Sequence, residues 1–221
     1  MGRIGAVSAV PELALRELAE RAAGRHLPRL FVLSAPSGTG KDTLIPELRL
    51  RGLTFSVVVT YTTRERRPGE VEGVDYNFVS RSGFEAMRAR GDLLEDAEYA
   101  RNLYGVPRRP VIDALARGED VLLKIEVQGA AIVKLKVPST VLIFLAPPNL
   151  EVVEQRLHQR GASSPEDLER RLRAATRELA CIPGYDYLVV NHPGRLDEAV
   201  RRVETIILAE RNRVNVRPVV L

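Results

Sequence analysis

The chain has 221 residues, 45% hydrophobic and 28% charged, with a formal net charge of +4 and a single cysteine. A chain of this length and balance buries a substantial core, which marks a globular protein rather than a disordered one. No apolar run reaches the roughly 18 to 20 residues that cross a bilayer, so no membrane partner is expected. Cys181 excludes an internal disulfide and any multi-cysteine metal site, and reads as a small buried hydrophobe. No signal-peptide pattern follows Met1 to Val10, and Ala6 stands where myristoylation requires Ser or Thr. A cytoplasmic location is therefore expected. The arginines are spread along the chain with few aromatics beside them, which suits a polyanionic small substrate at least as well as nucleic acid.

In chain order, residues 11–23 carry Pro11 and an apolar stripe of Leu15, Leu18, Ala19 and Ala22, which predicts a helix ended by Gly24. Leu30 to Ser34 reads as a strand, followed by a small-residue loop and a helix from Thr43 to Leu50 that Pro46 should kink or tighten. Phe55 to Thr60 and Val74 to Val79 read as strands on either side of a polar turn rich in hydroxyls and arginines. A helix from Phe84 to Arg90 ends at Gly91, and strands follow at Leu93 to Tyr99 and Leu103 to Val106. Beyond residue 110 helix and strand alternate. The expected elements are a helix Pro110 to Arg117, strands Val121 to Val127 and Val141 to Leu145, and a helix Asn149 to Arg160. Ser164-Pro165 then caps a helix to about Leu179, before a strand Tyr187 to Asn191 and a helix Leu196 to Arg211. The pattern is an open parallel sheet with a β-rich lobe inserted near 56–107.

The loop Ser34-Ala35-Pro36-Ser37-Gly38-Thr39-Gly40-Lys41-Asp42-Thr43 is placed to hold phosphate. Its backbone N–H groups and the following helix N-terminus would face an anion, and Lys41 would add a point charge. Ala35 stands where G-x-x-x-x-G-K-[ST] has its first glycine, and Asp42 where it has a hydroxyl, so a plain strand-to-helix turn is the competing reading. Arg64 and Arg67, three residues apart in the polar turn, suit bidentate binding of a phosphate.

Taken together, S-A-P-S-G-T-G-K, T-Y-T-T-R-E-R-R-P-G-E-V-E-G-V-D-Y-N-F-V, N-L-Y-G, I-E-V-Q-G-A and R-x3-R-G resemble the bacterial guanylate kinases, collinearly from about Leu30 to Arg211. The resemblance implies transfer of the γ-phosphoryl group of ATP to GMP, with Mg²⁺, on a P-loop three-layer α/β fold. It implies an N-terminal helical extension (1–28), a kinase-like domain (29–212) and a C-terminal tail (213–221). Within the domain, 29–55, 108–148 and 180–212 would form the parallel-sheet core, 56–107 a GMP-binding lobe and 149–179 a helical lid.

Residue by residue, the resemblance assigns the ATP cradle to Ala35, Pro36, Ser37, Gly38, Thr39, Gly40, Lys41, Asp42 and Thr43, with Asn191 bordering adenine. Lys41, Arg160 and Arg171 would act on the group in flight, with Arg156 a further lid arginine. Thr60, Arg64, Arg67, Tyr76, Glu95, Tyr104 and Glu126 would hold GMP, and Asp42 or Thr43 the metal. Glu95 would accept hydrogen bonds from guanine N1–H and the 2-amino group. Adenine offers neither donor, and a site left unpaired in this way can reject an analogue by roughly 10⁴. The chain departs from the family pattern at five places: Asp42 for a hydroxyl, Val106 for a guanine-reading hydroxyl, Lys124 and Glu126 for two aspartates, and His192 for an aspartate. Val106 cannot donate to guanine O6, so either a backbone N–H or water would substitute or base selectivity would be weaker.

Three other readings compete. A peptide-binding scaffold module of the same fold would have lost the donor loop, whereas Lys41, Arg160 and Arg171 remain. A kinase of phosphorylated sugars can share G-K-D but leaves Thr60 to Arg67, Tyr76 and Glu95 without a purpose. Nucleic acid is not an expected partner, since the basic residues map onto nucleotide clamps; monomer and homo-oligomer both stay open.

Overall fold

The computed structural model describes residues 27–36, 39–99, 101–159 and 164–221. The helix expected over 11–23 lies outside them, as do Ser37, Gly38 and Arg160.

Five strands form the central sheet: β1 (Leu30–Ser34), β2 (Ser56–Val57), β7 (Val121–Lys124), β8 (Val141–Ala146) and β9 (Tyr187–Val190). Their order is β2-β7-β1-β8-β9, and every pairing is parallel. Alternate side chains of a strand face opposite sides, so a central strand covered on both faces must be apolar throughout. In β1, Phe31 and Leu33 enter one core with Leu44 and Leu48 of α1 (Lys41–Leu50) and Val200, Val203 and Ile207. The latter three belong to the last helix, Leu196–Arg211. Leu30 and Val32 enter the opposite core with Val111, Ala114, Ala130 and Val133. These come from α3 (Arg108–Ala116) and α4 (Val127–Lys136), so helices cover both faces of the sheet. An earlier helix, α2 (Arg81–Arg90), belongs to the inserted lobe.

That lobe has its own sheet, in the order β4-β3-β6-β5, from β3 (Tyr61–Thr62), β4 (Asn77–Phe78), β5 (Leu93–Tyr99) and β6 (Asn102–Pro107). Phe84, Leu93 and Leu103 form its core. Gly105 of β6 is required there, because a Cβ on it would stand 2.9 Å from the Phe84 ring. A helical hairpin, α5 (Leu150–Gln159) and α6 (Pro165–Leu179), is held together by Val153, Leu157 and Ala175. Ser164 caps α6 as expected, accepting from the Asp167 N–H. The last helix is α7 (Leu196–Arg211).

Four expectations need correction. The strand expected over 55–60 pairs only at Ser56–Val57, because the chain leaves the main sheet there: the Thr60 carbonyl already accepts from Asn77 N–H in the lobe. The strand expected to reach Val127 stops at Lys124, where the chain turns, with the Ile125 carbonyl accepting from Ser34 Oγ, and α4 begins at Val127. That helix carries no polar face for a periodicity argument to detect. Helix α1 starts at Lys41 rather than Thr43 and runs through Pro46, whose missing N–H deprives the Asp42 carbonyl of its helical partner. Cys181 is exposed, in the turn after α6, where its Sγ contacts the Arg177 carbonyl.

Candidate active site

Ligands of open parallel sheets bind beyond the carboxyl ends of the strands. Here those ends bring together Ala35 after β1, Lys124 at the end of β7 and Asn191 after β9.

The loop after β1 is held from behind. Thr39 closes a turn onto the Pro36 carbonyl through both its N–H and its hydroxyl, at 3.2 and 2.9 Å. The Thr39 carbonyl in turn accepts from the buried Asn191 carboxamide at 2.7 Å and from Arg156 at 3.4 Å. Gly40 has φ +103°, and a Cβ there would stand 2.9 Å from Asn191 Nδ2. Glycine is needed at this position for both its conformation and its missing side chain. Lys41 Nζ donates to the Ala35 carbonyl and lies 3.6 Å from Glu126 Oε1. Glu126 caps α4 by position only, since its side chain makes no capping bond, and its Oε2 is buried without a hydrogen-bond partner.

Across from the loop, the lobe and α4 enclose a second pocket lined by Thr60, Tyr76, Glu95, Tyr104, Lys124, Glu126 and Gly129. One end is cationic and aromatic. Arg64 pairs with Glu70 at 2.6 Å and lies over the rings of Tyr76 and Phe78 at 5.4 and 5.7 Å. The Tyr76 ring meets Tyr104 edge-on at 5.9 Å. Glu70 also accepts from the Arg67 N–H at 2.8 Å, so one carboxylate orders the whole arginine turn. Burial opposes its charge, but Arg64 and the Arg67 N–H hold its carboxyl below the usual range.

The other end of the pocket is Glu95, only 2% exposed, in the middle of β5. Burial, with Asp96 adding to it, pushes its carboxyl up to about 7 against the pull of Lys136 and the Val106 N–H. Glu95 Oε2 has no hydrogen-bond partner. The carboxylate rests on Gly129 of α4, where a Cβ would lie 2.8 Å from Oε2. An orphaned buried carboxylate atom is costly unless a ligand satisfies it.

A cationic, aromatic end, an unpartnered buried carboxylate oxygen at the other and a lysine loop beside Glu126 can take a ligand that is anionic at one end and donates hydrogen bonds at the other. The family model for guanylate kinase matches residues 27–210. The chain belongs to the guanylate kinase family. It is similar to a guanylate kinase of Gloeobacter violaceus, 49% identical over 195 residues, covering 88% of this chain and 94% of that one. A guanylate kinase of Thermus thermophilus is 50% identical over 185 residues, covering 84% of this chain and 83% of the other. The crystal structure of guanylate kinase from Anaplasma phagocytophilum superposes with a TM-score of 0.72 at 31% identity, covering 86% of this chain and 89% of that chain.

Against the guanylate kinase pattern, the structure brings Thr60, Arg64, Tyr76, Glu95, Tyr104 and Glu126 into or onto one pocket, with Arg67 exposed beside it. Asn191 is the loop's buried anchor. Among the hairpin arginines, Arg171 pairs with Asp167 at 3.0 Å, while Arg156 reaches the loop through the Thr39 and Asn191 carbonyls. Val106 turns its side chain into the core, and its N–H supports the Glu95 carboxylate.

Sequence reasoning missed Glu70, Gly129 and Glu178. Glu178, at the end of α6, is 5% exposed; burial and Glu126 push its carboxyl up to about 7, with Lys41 and a Tyr99 hydrogen bond opposing. Nothing local marks it, because its neighbours come from β5, α1 and α4. Gly129 yields a prediction. Gly129→Ala is expected to displace the Glu95 carboxylate and raise KM for GMP about tenfold, with KM for ATP unchanged and the fold intact. Steady-state kinetics with each substrate varied checks this, and a parallel rise in both KM values would refute it.

Proposed function

We propose that this protein transfers the γ-phosphoryl group of ATP to GMP, giving ADP and GDP. One observation carries the reading: Glu126 lies 3.6 Å from the loop lysine Lys41 and lines the same pocket as Glu95. Donor loop and guanine-reading carboxylate thus share a wall, as transfer between two bound nucleotides requires.

On this reading the loop's N–H groups and Lys41 hold the ATP phosphates, and Lys41 follows the γ-phosphoryl group as charge moves toward the leaving oxygen. Arg64, Arg67, Tyr76 and Tyr104 hold the GMP phosphate in line. Glu95, ionised, accepts from guanine N1–H and the 2-amino group, and Thr60 lines the base pocket. Arg156 links the helical hairpin to the loop, so hairpin closure brings Arg171 toward the phosphates and excludes water.

Mg²⁺ fits the donor set. It takes few protein ligands, keeping phosphate oxygens and waters instead. Among the described residues no group of three or more His, Cys, Asp or Glu could hold a metal alone. Thr43 Oγ1 donates to the Gly40 carbonyl at 3.3 Å, leaving its lone pairs for a cation, whereas Asp42 is paired with Lys124. Thr43 is therefore the residue we propose to hold the ion. Held there, Mg²⁺ would supply positive charge against the phosphates. No helix among the described residues is long and apolar enough to cross a membrane, and we propose a cytoplasmic setting, where free nucleotides are met.

The deciding experiment is a coupled ADP-release assay with ATP, Mg²⁺ and each of GMP, AMP, CMP and UMP. GMP is expected to be the preferred acceptor by orders of magnitude. Folded protein without turnover on any nucleotide would refute the enzyme reading, and turnover on a phosphorylated sugar alone would favour the sugar kinase.

A further inference from the structure

Two of the departures from the family pattern touch each other. Lys124 Nζ, at the end of β7, lies 2.7 Å from Asp42 Oδ1 in the first turn of α1, a contact across 82 positions of sequence. A hydroxyl replaced by a carboxylate at 42 and a carboxylate replaced by an ammonium at 124 are thus one coupled exchange. Lys41, Asp42, Lys124 and Glu126 balance as two cations and two anions in two ion pairs. The family pattern there would have one cation and two anions.

The pair is asymmetric. The Lys124 side chain is 18% exposed and that of Asp42 66%. Lys124 Nζ stands 5.7 Å from the centre of the Tyr76 ring, the same ring that carries the Arg64 guanidinium at 5.4 Å. Lys124 also lines the pocket that contains Glu95. The enclosed partner is therefore the cation, against the tyrosine ring that also carries Arg64, and the solvated partner is its counter-ion. A carboxylate so exposed returns to water at little cost, whereas an enclosed ammonium must keep an anion.

Resting on the functional reading above, we propose that Lys124 is an additional ligand of the acceptor phosphate, which exchanges Asp42 for phosphate oxygens as GMP binds. Asp42 is the positioning residue that holds the ammonium at the clamp. A phosphate dianion entering beside Arg64 presents more charge and more acceptor oxygens than a single carboxylate, so the exchange runs toward the nucleotide. The extra cation adds to the affinity for the phosphate and nothing to the affinity for the base.

The test is calorimetric titration of the full chain with GMP and with guanosine, without ATP and with metal chelated, at two salt concentrations. Lys124→Met is expected to weaken GMP binding about tenfold, to leave guanosine binding unchanged and to flatten the salt dependence. Asp42→Asn is expected to tighten GMP binding severalfold, because its lysine no longer leaves a counter-ion. Unchanged GMP affinity in Lys124→Met, or equal losses for GMP and guanosine, would overturn the proposal. Should that variant not fold, Asp42→Asn decides alone, and GMP binding that is unchanged or weaker overturns it. Wild-type protein that binds no GMP would instead refute the functional reading, a failure seen before any variant is made.

Discussion

Lys41→Met is expected to lower kcat by roughly a thousand-fold, with the fold intact and GMP binding close to normal. Lys41 is the first residue of α1, behind a loop fixed by Thr39, Asn191 and Arg156, so its position does not depend on its own charge. Removing the ammonium leaves the Glu126 carboxylate facing the donor phosphates without the cation that now lies 3.6 Å from it. Repulsion of the phosphates thus adds to the loss of a cation at the transferred group. Single-turnover kinetics separates the chemical step from ATP binding. A variant within tenfold of wild type would show that the loop does not carry the donor phosphates.

The second large effect belongs to Glu95→Gln, and it acts on stability and specificity in opposite directions. Burial raises the Glu95 carboxyl from 4.5 to about 7, so the folded protein holds this proton more tightly than the unfolded chain. The associated stability is fully present below about pH 4.5 and is lost as pH rises through about 7. The shift corresponds to a loss on the order of 3 kcal/mol at high pH. Glutamine cannot ionise. The variant is therefore expected to melt about 5–10 °C above wild type at pH 8 and close to it at pH 4. Glu178 titrates in the same range but is common to both proteins, so it cancels in the comparison.

In function the same change is costly. A glutamine amide presents donors to the donors of guanine, and kcat/KM for GMP is expected to fall by roughly 10³ or more while KM for ATP holds. For wild type, GMP binding is expected to strengthen between about pH 6 and pH 8 and to release a proton, which calorimetry in buffers of different ionisation enthalpy measures. A melting difference independent of pH would show that the Glu95 carboxyl titrates alike in the folded and unfolded chain. Equal losses for GMP and ATP would make the residue structural.

Local signals carried much of the architecture. The ends of β1, β5 and α7 follow from apolar runs and their punctuation, and the Ser164-Pro165 cap from two adjacent residues. The phosphate loop and the arginine turn were legible because glycine, hydroxyl and arginine density is a local property. Elements defined by what they pack against were not. Helix α4 contributes Ala130 and Val133 to a core while Gly129 accommodates the Glu95 carboxylate, and no sequence period reports two such neighbours. The exposure of Cys181 was misjudged for a related reason: composition says what a thiol prefers, and only the turn after α6 decides what covers it.

The sequence by itself determined the family, and it marked the lysine loop and the arginine turn as candidates, since each is a short stretch whose chemistry is fixed by its own residues. It also showed Asp42 and Lys124 as two separate anomalies. Only the tertiary structure made them one feature, because the parallel pairing of β1 with β7 sets the start of α1 beside the end of β7 and the two charges 2.7 Å apart. The same crossing set Glu126 between Lys41 and the pocket of Glu95, and the packing of α4 against β5 made Glu95 a buried, orphaned carboxylate. Charge type is written in the chain; charge pairing and desolvation arise from contacts between segments far apart in it.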